Sequence, residues 1–283
     1  MANKPQSAAI HAGPGFRIRM NFPRPDPALC HALAQFATPD VSDLLNRLFA
    51  VDSDIHLMTA PHHRFCAPAV TVKVFPGDNL MVHKSLDVIE PGDVIVVDAG
   101  GSRLNAVLGD LISTKARHRG AAGFVVDGLV RDLPAISDLD FPVFARGTSP
   151  IGPLHRGPGE INYAVCCGGV VVNPGDVVMA DAMGIVIVPR DIAPELLERL
   201  ASHKDHNAAY LQSVRRGDFS NAWVDRILQD AHCQLVRGSD APHAAIPAAV
   251  ATPISASMAL SVDVTDPSLT HPASQPAPAK PIL

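Results

Sequence analysis

Two short stretches of this sequence hold residue types that could do chemistry together. Gly109-Asp110-Leu111-Ile112 comes first, and Arg131-Asp132 follows with twenty residues between Asp110 and Arg131. If a helix starts at Asp110, its first turn presents free backbone N–H groups and a positive dipole end, suited to a carboxylate or phosphate. Arg131 adds a planar two-pronged donor for the same anion. Asp132 and Asp110 offer carboxylate oxygens, used directly or through water, of the kind a hard divalent cation prefers. One crevice could then hold an anionic group and a metal side by side. The plainer reading is that an Asp in a first helical turn answers the dipole and Arg-Asp is a surface pair. Spacing alone leaves both open.

Other residues offer less. His203 and His206 stand three apart on a predicted helix, a spacing that can ligate metal, but no third ligand is evident nearby. His62-His63 falls in a predicted loop with no recognisable partner. Gly100-Gly101 lacks the G-x-G-x-x-G spacing of a dinucleotide site, there is no P-loop, and no serine sits in a G-x-S-x-G elbow. Cys30 and Cys66 read as core or half-buried thiols. Cys166 and Cys167 would face opposite sides of a strand, which makes them poor disulfide partners and poor joint metal ligands.

The elements that must position these residues alternate along the chain. Helices are expected over 27–36, over 39–48 with Thr38 as N-cap, and over 79–89 with Asp78 at the cap. Further helices are expected over 110–119, from about 131–133, over 192–211 and over 223–236. Strands are expected over 69–75, 94–98, 123–127, 142–145, 169–172, 177–180 and 185–188. Pro91-Gly92-Asp93 and Pro174-Gly175-Asp176 each place a Pro-Gly turn before a strand, a shared turn type rather than a duplicated unit. The run from 94 to 131 reads strand, glycine-bearing loop, helix, strand, turn. A parallel crossover of that kind brings the Gly109 helix start beside Arg131-Asp132, at the strand C-terminal edge where open α/β sheets bind ligands. The class is α/β or α+β with a mixed sheet.

The chain has 283 residues, 47% hydrophobic and 18% charged, with a net charge of −5. No Lys/Arg block stands out to neutralise phosphates, which argues against a nucleic-acid binder. No apolar run approaches the roughly 18 residues of a membrane span, and residues 1–16 lack the apolar core of a secretory signal. A soluble, cytoplasmic protein with free thiols is expected. Residues 239–283 contain 11 Ala and 8 Pro but no Gly and no aromatic residue, so they read as a disordered tail. Residues 1–25 read as a proline-bearing arm, and 26–238 as the single folded domain.

The segments 96–101, 106–112 and 120–132 closely resemble the RraA-like family, which includes class II pyruvate aldolases acting on 4-hydroxy-4-methyl-2-oxoglutarate and 4-carboxy-4-hydroxy-2-oxoadipate. The resemblance continues through 141–147, 168–170, 174–176 and 181–185 and covers roughly 38–189. The family's acidic residue, twenty intervening residues and Arg-Asp are met by Asp110 and Arg131-Asp132.

That resemblance implies an αββα-type sandwich with a mixed central sheet, assembled as a trimer or a dimer of trimers with sites between subunits. It implies that the amides of Gly109, Asp110, Leu111 and Ile112, with Arg131, hold a pyruvoyl group. Asp132 would carry Mg²⁺ or Mn²⁺, and Asp110 would order water on that metal. The family also draws an acidic group from the neighbouring subunit's C-terminal region, for which Glu195, Glu198 and Asp205 are candidates. The implied activity is a metal-dependent lyase that cleaves a 4-hydroxy-2-oxo acid and releases pyruvate, with oxaloacetate decarboxylation as a side activity. Two alternatives remain: a non-catalytic regulator of an RNA-degrading endonuclease, and a related lyase or hydrolase on another oxo acid. Asp110 favours an enzyme over the regulator.

Overall fold

The computed structural model describes residues 9–235, apart from the side chains of 205–207. The expected tail at 239–283 lies outside the described residues. Contacts divide the chain between Asp218 and Phe219. The second unit, as far as it is described, carries one helix, α7 (Ala222–Asp230).

The first unit is built on alternation. Its long strand β3 (Phe65–Val74) runs beside β4 (Val94–Asp98), β6 (Gly123–Asp127) and β8 (Val143–Ala145) in parallel. The sheet is extended by β1 (Phe16–Ile18) and β9 (Gly159–Ile161) at one edge and by β2 (His56–Leu57) at the other. The first half of β3 also pairs antiparallel with β12 (Val177–Asp181), which in turn pairs with β13 (Gly184–Val188). All five residues of β4 and of β6 are buried, as a sheet covered on both faces requires.

Successive side chains of these strands feed two different cores. Val70, Val72, Ile95, Val97, Phe124 and Val126 pack under three helices, α3 (Leu80–Ser85), α4 (Asp110–His118) and α5 (Leu133–Asp138), through Met81, Ile112 and Ile136 among others. Ala69, Val94, Val96, Val125 and Phe144 face the second β layer, made by β12, β13 and the hairpin of β10 (Val165–Cys167) with β11 (Val170–Val172). The outer face of β12 and β13 is covered by α1 (Pro27–Leu33), α2 (Thr38–Leu44) and α6 (Ala193–Arg215), through Leu33, Val41 and Leu196. The layers therefore read α, β, β, α: one mixed α/β domain around a mixed sheet. Each fully buried Val, Ile or Phe in these layers contributes about 1.5–3 kcal/mol.

Several local findings differ from the sequence expectations: α2, α3 and α7 end at Leu44, Ser85 and Asp230, short of the expected residues 48, 89 and 236. Thr38 is not an N-cap. It lies inside α2, whose cap residue is Ala37, and its hydroxyl and backbone N–H both donate to the Asp181 carboxylate. That carboxylate does the capping from the end of β12. The proline-bearing arm contributes an edge strand, because β1 pairs in parallel with β9 and Arg17 meets Glu160 at 2.6 Å. At α3 the cap position is Asn79, while Asp78 accepts the Leu80 N–H at 2.8 Å. The cysteines fall as expected: all five are free, Cys30 and Cys167 buried, Cys166 exposed and Cys66 between.

Candidate functional site

The crossover from β4 through α4 to β6 is parallel. Between β4 and α4 lies a further short strand, β5 (Ala106–Leu108), where the sequence suggested only loop. It pairs in parallel with β7 (Leu129–Val130), and the Arg131 N–H donates to the Leu108 carbonyl at 3.0 Å. This two-strand clasp brings Gly109-Asp110 against Arg131-Asp132, because each pair immediately follows one of its strands.

Gly109 has extended backbone, and its missing side chain is what permits the approach. A Cβ there would overlap the Asp132 carboxylate and lie 3.0 Å from the Arg131 side chain. Gly152 gives similar room, since a Cβ there would stand 2.5 Å from Arg131 Nη1. Asp132 sits at φ 56°, ψ 32° as the cap residue of α5, a left-handed conformation that Asp tolerates better than most residues. Arg131 Nε lies 3.3 Å from Asp132 Oδ2, and both side chains are 40% exposed. They are neither sequestered nor lost to solvent.

At the start of α4, the Ser113 N–H and hydroxyl both donate to the Gly109 carbonyl. The N–H groups of Asp110, Leu111 and Ile112 precede that first helical bond. The Leu111 N–H is taken by the Asp110 carboxylate at 2.7 Å, so an incoming anion would compete with that carboxylate for it.

These residues line one crevice of about 340 Å³ together with Asn79, His83, Pro153 and His155. A larger groove of about 610 Å³ between α2 and α6 lacks any such pairing of arginine, carboxylate and helix start. Asn79, His83, Gly152 and His155 escaped the sequence reading, because only the fold brings α3 and the 148–158 loop to this edge. His155 Nδ1 bonds Asn79 Oδ1 at 2.6 Å, and its ring meets that of His83 edge-on at 5.6 Å. Burial, then Lys115 and His155, push the His83 pKa down, so the wall of the crevice at His83 stays uncharged at neutral pH. Asp98 and Asp127, at the ends of β4 and β6, are committed elsewhere: Lys73 holds Asp98 at 2.6 Å and Arg146 holds Asp127 at 2.5 Å.

A divalent cation fits the donor chemistry at Asp132. A hard ion keeps several waters and needs only one or two carboxylates beside substrate oxygens, and Asp132 and Asp110, which line the same crevice, offer such carboxylates. Glu195 and Glu198 lie on α6 and do not line the crevice, and Glu195 pairs with Arg199. The side chains of Asp205 and His206 lie outside the described residues. His62 and His63, for which no partner was evident, both meet Asp140.

The mixed α/β sandwich thus gathers a helix start, an arginine and a carboxylate into one crevice at its strand ends. A family model described as Aldolase/RraA matches residues 38–187, and the chain belongs to that RraA-like family. A protein of Halalkalibacterium halodurans provisionally named 4-hydroxy-4-methyl-2-oxoglutarate aldolase is 40% identical over 57% of this chain and 77% of its own length. One of the same provisional name from Azotobacter vinelandii is 37% identical over 56% of this chain and 97% of its own. Among solved structures, Streptomyces coelicolor RraAS2, described as an unusual member of the RNase ES inhibitor RraA family, aligns with a TM-score of 0.62. It is 30% identical and covers 67% of this chain and 98% of its own. The RNA-processing inhibitor RraA from Thermus thermophilis aligns at 0.51 with 32% identity, over 54% of this chain and 93% of its own.

Proposed function

We propose that this chain is a divalent-metal-dependent carbon–carbon lyase that cleaves a 4-hydroxy-2-oxo acid of the 4-hydroxy-4-methyl-2-oxoglutarate type and releases pyruvate. The observation that carries the reading is the convergence of the α4 start, Arg131 and Asp132 on one crevice. The substrate carboxylate would lie against the N–H groups of Gly109, Asp110, Leu111 and Ile112. Arg131 would face the 2-oxo oxygen, where negative charge grows as the C3–C4 bond breaks and its electrons form the pyruvate enolate. Asp132 would hold Mg²⁺ or Mn²⁺, which supplies Lewis-acid polarisation of the 2-oxo group when bound. Asp110 would orient a water for proton transfer. Removal of the 4-hydroxyl proton leaves a carbonyl at C4, and protonation of the enolate at C3 completes pyruvate. Oxaloacetate loses CO₂ through the same enolate, so its decarboxylation belongs to the proposal.

The family resemblance further supports a cytoplasmic homotrimer or hexamer with sites between subunits. The test is pyruvate release across a panel of 4-hydroxy-2-oxo acids, with and without Mg²⁺. Turnover of at least one, abolished by chelation and restored by Mg²⁺, is the expected result. No turnover of any, oxaloacetate included, would remove the aldolase reading. A second reading, a regulator of an RNA-degrading endonuclease, is favoured by the two RraA structural neighbours. Asp110 beside Arg131-Asp132 supports the enzyme. Inhibition of such an endonuclease by a chain that turns over no oxo acid would favour the regulator. Turnover confined to a different oxo acid would keep the lyase and change its substrate.

A further inference from the structure

The loop between β2 and β3 brings two adjacent imidazoles to one side. In an extended strand neighbouring side chains diverge, but here a turn closed by the His63 N–H to Ala60 carbonyl bond (2.9 Å) makes them converge. The ring centroids of His62 and His63 lie 4.6 Å apart. Both Nε2 atoms point at the same carboxylate oxygen of Asp140, at 3.2 and 2.7 Å. The three ligand atoms lie within 4.8 Å of one another, and this is the only such group of three His, Cys, Asp or Glu side chains among the described residues.

Two details exceed what a surface hydrogen bond needs. Asp140 sits just past α5 at φ 50°, where Gly or Asn would fit with less strain, yet a carboxylate stands there and meets two histidines. His63 is 6% exposed, and its far nitrogen, Nδ1, is fixed 2.7 Å from Thr59 Oγ1, which also accepts the Val143 N–H at 3.4 Å. An outer partner of that kind sets the tautomer of a ligating histidine. With an ion bound, Nδ1–H would donate to Thr59, and Nε2, which faces the Asp140 carboxylate as a donor when no ion is there, would give up that proton and turn its lone pair to the metal.

We propose that His62, His63 and Asp140 form a binding site for a divalent transition-metal ion of the zinc type, separate from the crevice at Arg131-Asp132. Two imidazoles and one carboxylate suit zinc-like ions, whereas magnesium prefers oxygen alone. In a tetrahedral zinc site with bonds of about 2.0–2.2 Å, ligand atoms stand roughly 3.3–3.6 Å apart. Both Asp140 contacts, at 3.2 and 2.7 Å, are shorter than that, so Asp140 must draw back by less than about 1 Å to admit the ion, and both Asp140 and His62 are largely exposed and free to adjust. Three protein ligands leave a fourth position for water.

The site and the crevice share α5, with Asp132 at its start and Asp140 just beyond its end, so the test must separate them. Zinc is titrated calorimetrically into the chelator-stripped full chain in excess Mg²⁺, for the wild type, Asp132→Asn, His62→Gln and Asp140→Asn. Gln replaces an exposed side chain and Asn tolerates the left-handed backbone, so neither variant depends on refolding the core, as a change at buried His63 would. One zinc per chain at micromolar affinity or tighter is expected, retained in Asp132→Asn. It should weaken at least about tenfold in both His62→Gln and Asp140→Asn. Cobalt loaded in place of zinc should give visible absorption that His62→Gln abolishes. Absence of such binding in the wild type, or binding unchanged in either site variant, overturns the assignment.

Discussion

Arg131 and Asp132 are neighbours in sequence with separate tasks under the proposed mechanism, so their variants should fail differently. Arg131→Ala removes charge from the developing enolate and is expected to slow turnover by roughly 10²–10³, with metal binding retained. Arg131→Lys should recover only part, because a point charge cannot reproduce a two-pronged contact. Asp132→Asn should lower Mg²⁺ affinity and turnover together, with partial rescue at high Mn²⁺. Asn is the better probe here, since Ala at φ 56° adds about 1 kcal/mol of backbone strain unrelated to metal. Steady-state kinetics beside metal titration separates the two patterns. Gly109→Ala, which touches neither charge, is expected to be equally damaging: its methyl group claims the space of the Asp132 carboxylate. Wild-type turnover in that variant, at unchanged thermal midpoint, would mean that the close approach is not needed. Gly109, Asp110, Arg131 and Asp132 could be singled out because the β4–α4–β6 crossover and the family resemblance both pointed to them, although the β5–β7 clasp that joins them left no signal of its own. His155 and Asn79 were not, since their 2.6 Å contact joins segments with no local pattern in common.

At the scale of elements, legibility followed burial on both faces. Strands β4 and β6 could be bounded to the residue, because a run of apolar side chains between turns admits little else. Strands β1, β2, β5, β7 and β9 are two or three residues long and exist only through their partners, so no window of sequence contains their cause. The same holds at α2, capped by a carboxylate on a distant strand. Helix α5 is short and has a single buried residue, Ile136, whose N–H donates to the Asp132 carbonyl at 3.1 Å. Ile136→Ala should cost about 2–5 kcal/mol, read as a lower thermal midpoint. It should also loosen the seat of Asp132, so turnover at 25 °C should fall by more than the unfolded fraction explains. A fall in midpoint alone would make α5 a packing element and nothing more.

For the whole molecule, the family and the layered fold were both readable in advance, whereas the state of assembly rests on resemblance. A trimer or hexamer is expected by light scattering at micromolar concentration, and a fully active monomer would remove the shared-site expectation. Dilution should then lower specific activity, because a site completed across subunits is lost when they part. No helix among the described residues is long and apolar enough to cross a membrane.

The three-way pairing of β3 also sets a timetable for synthesis. One half of this strand can dock on β4 early, but its other half waits for β12, more than a hundred residues downstream. At 5–20 residues per second, a ribosome leaves that apolar edge uncovered for roughly 5–20 s. The nascent chain must pass through a stage in which one β layer exists without its mate. Chains stalled before Val177 has emerged should therefore be cut readily by protease near β3, while chains stalled well beyond Val188 should resist. Equal resistance at both lengths would show that the first layer stands alone.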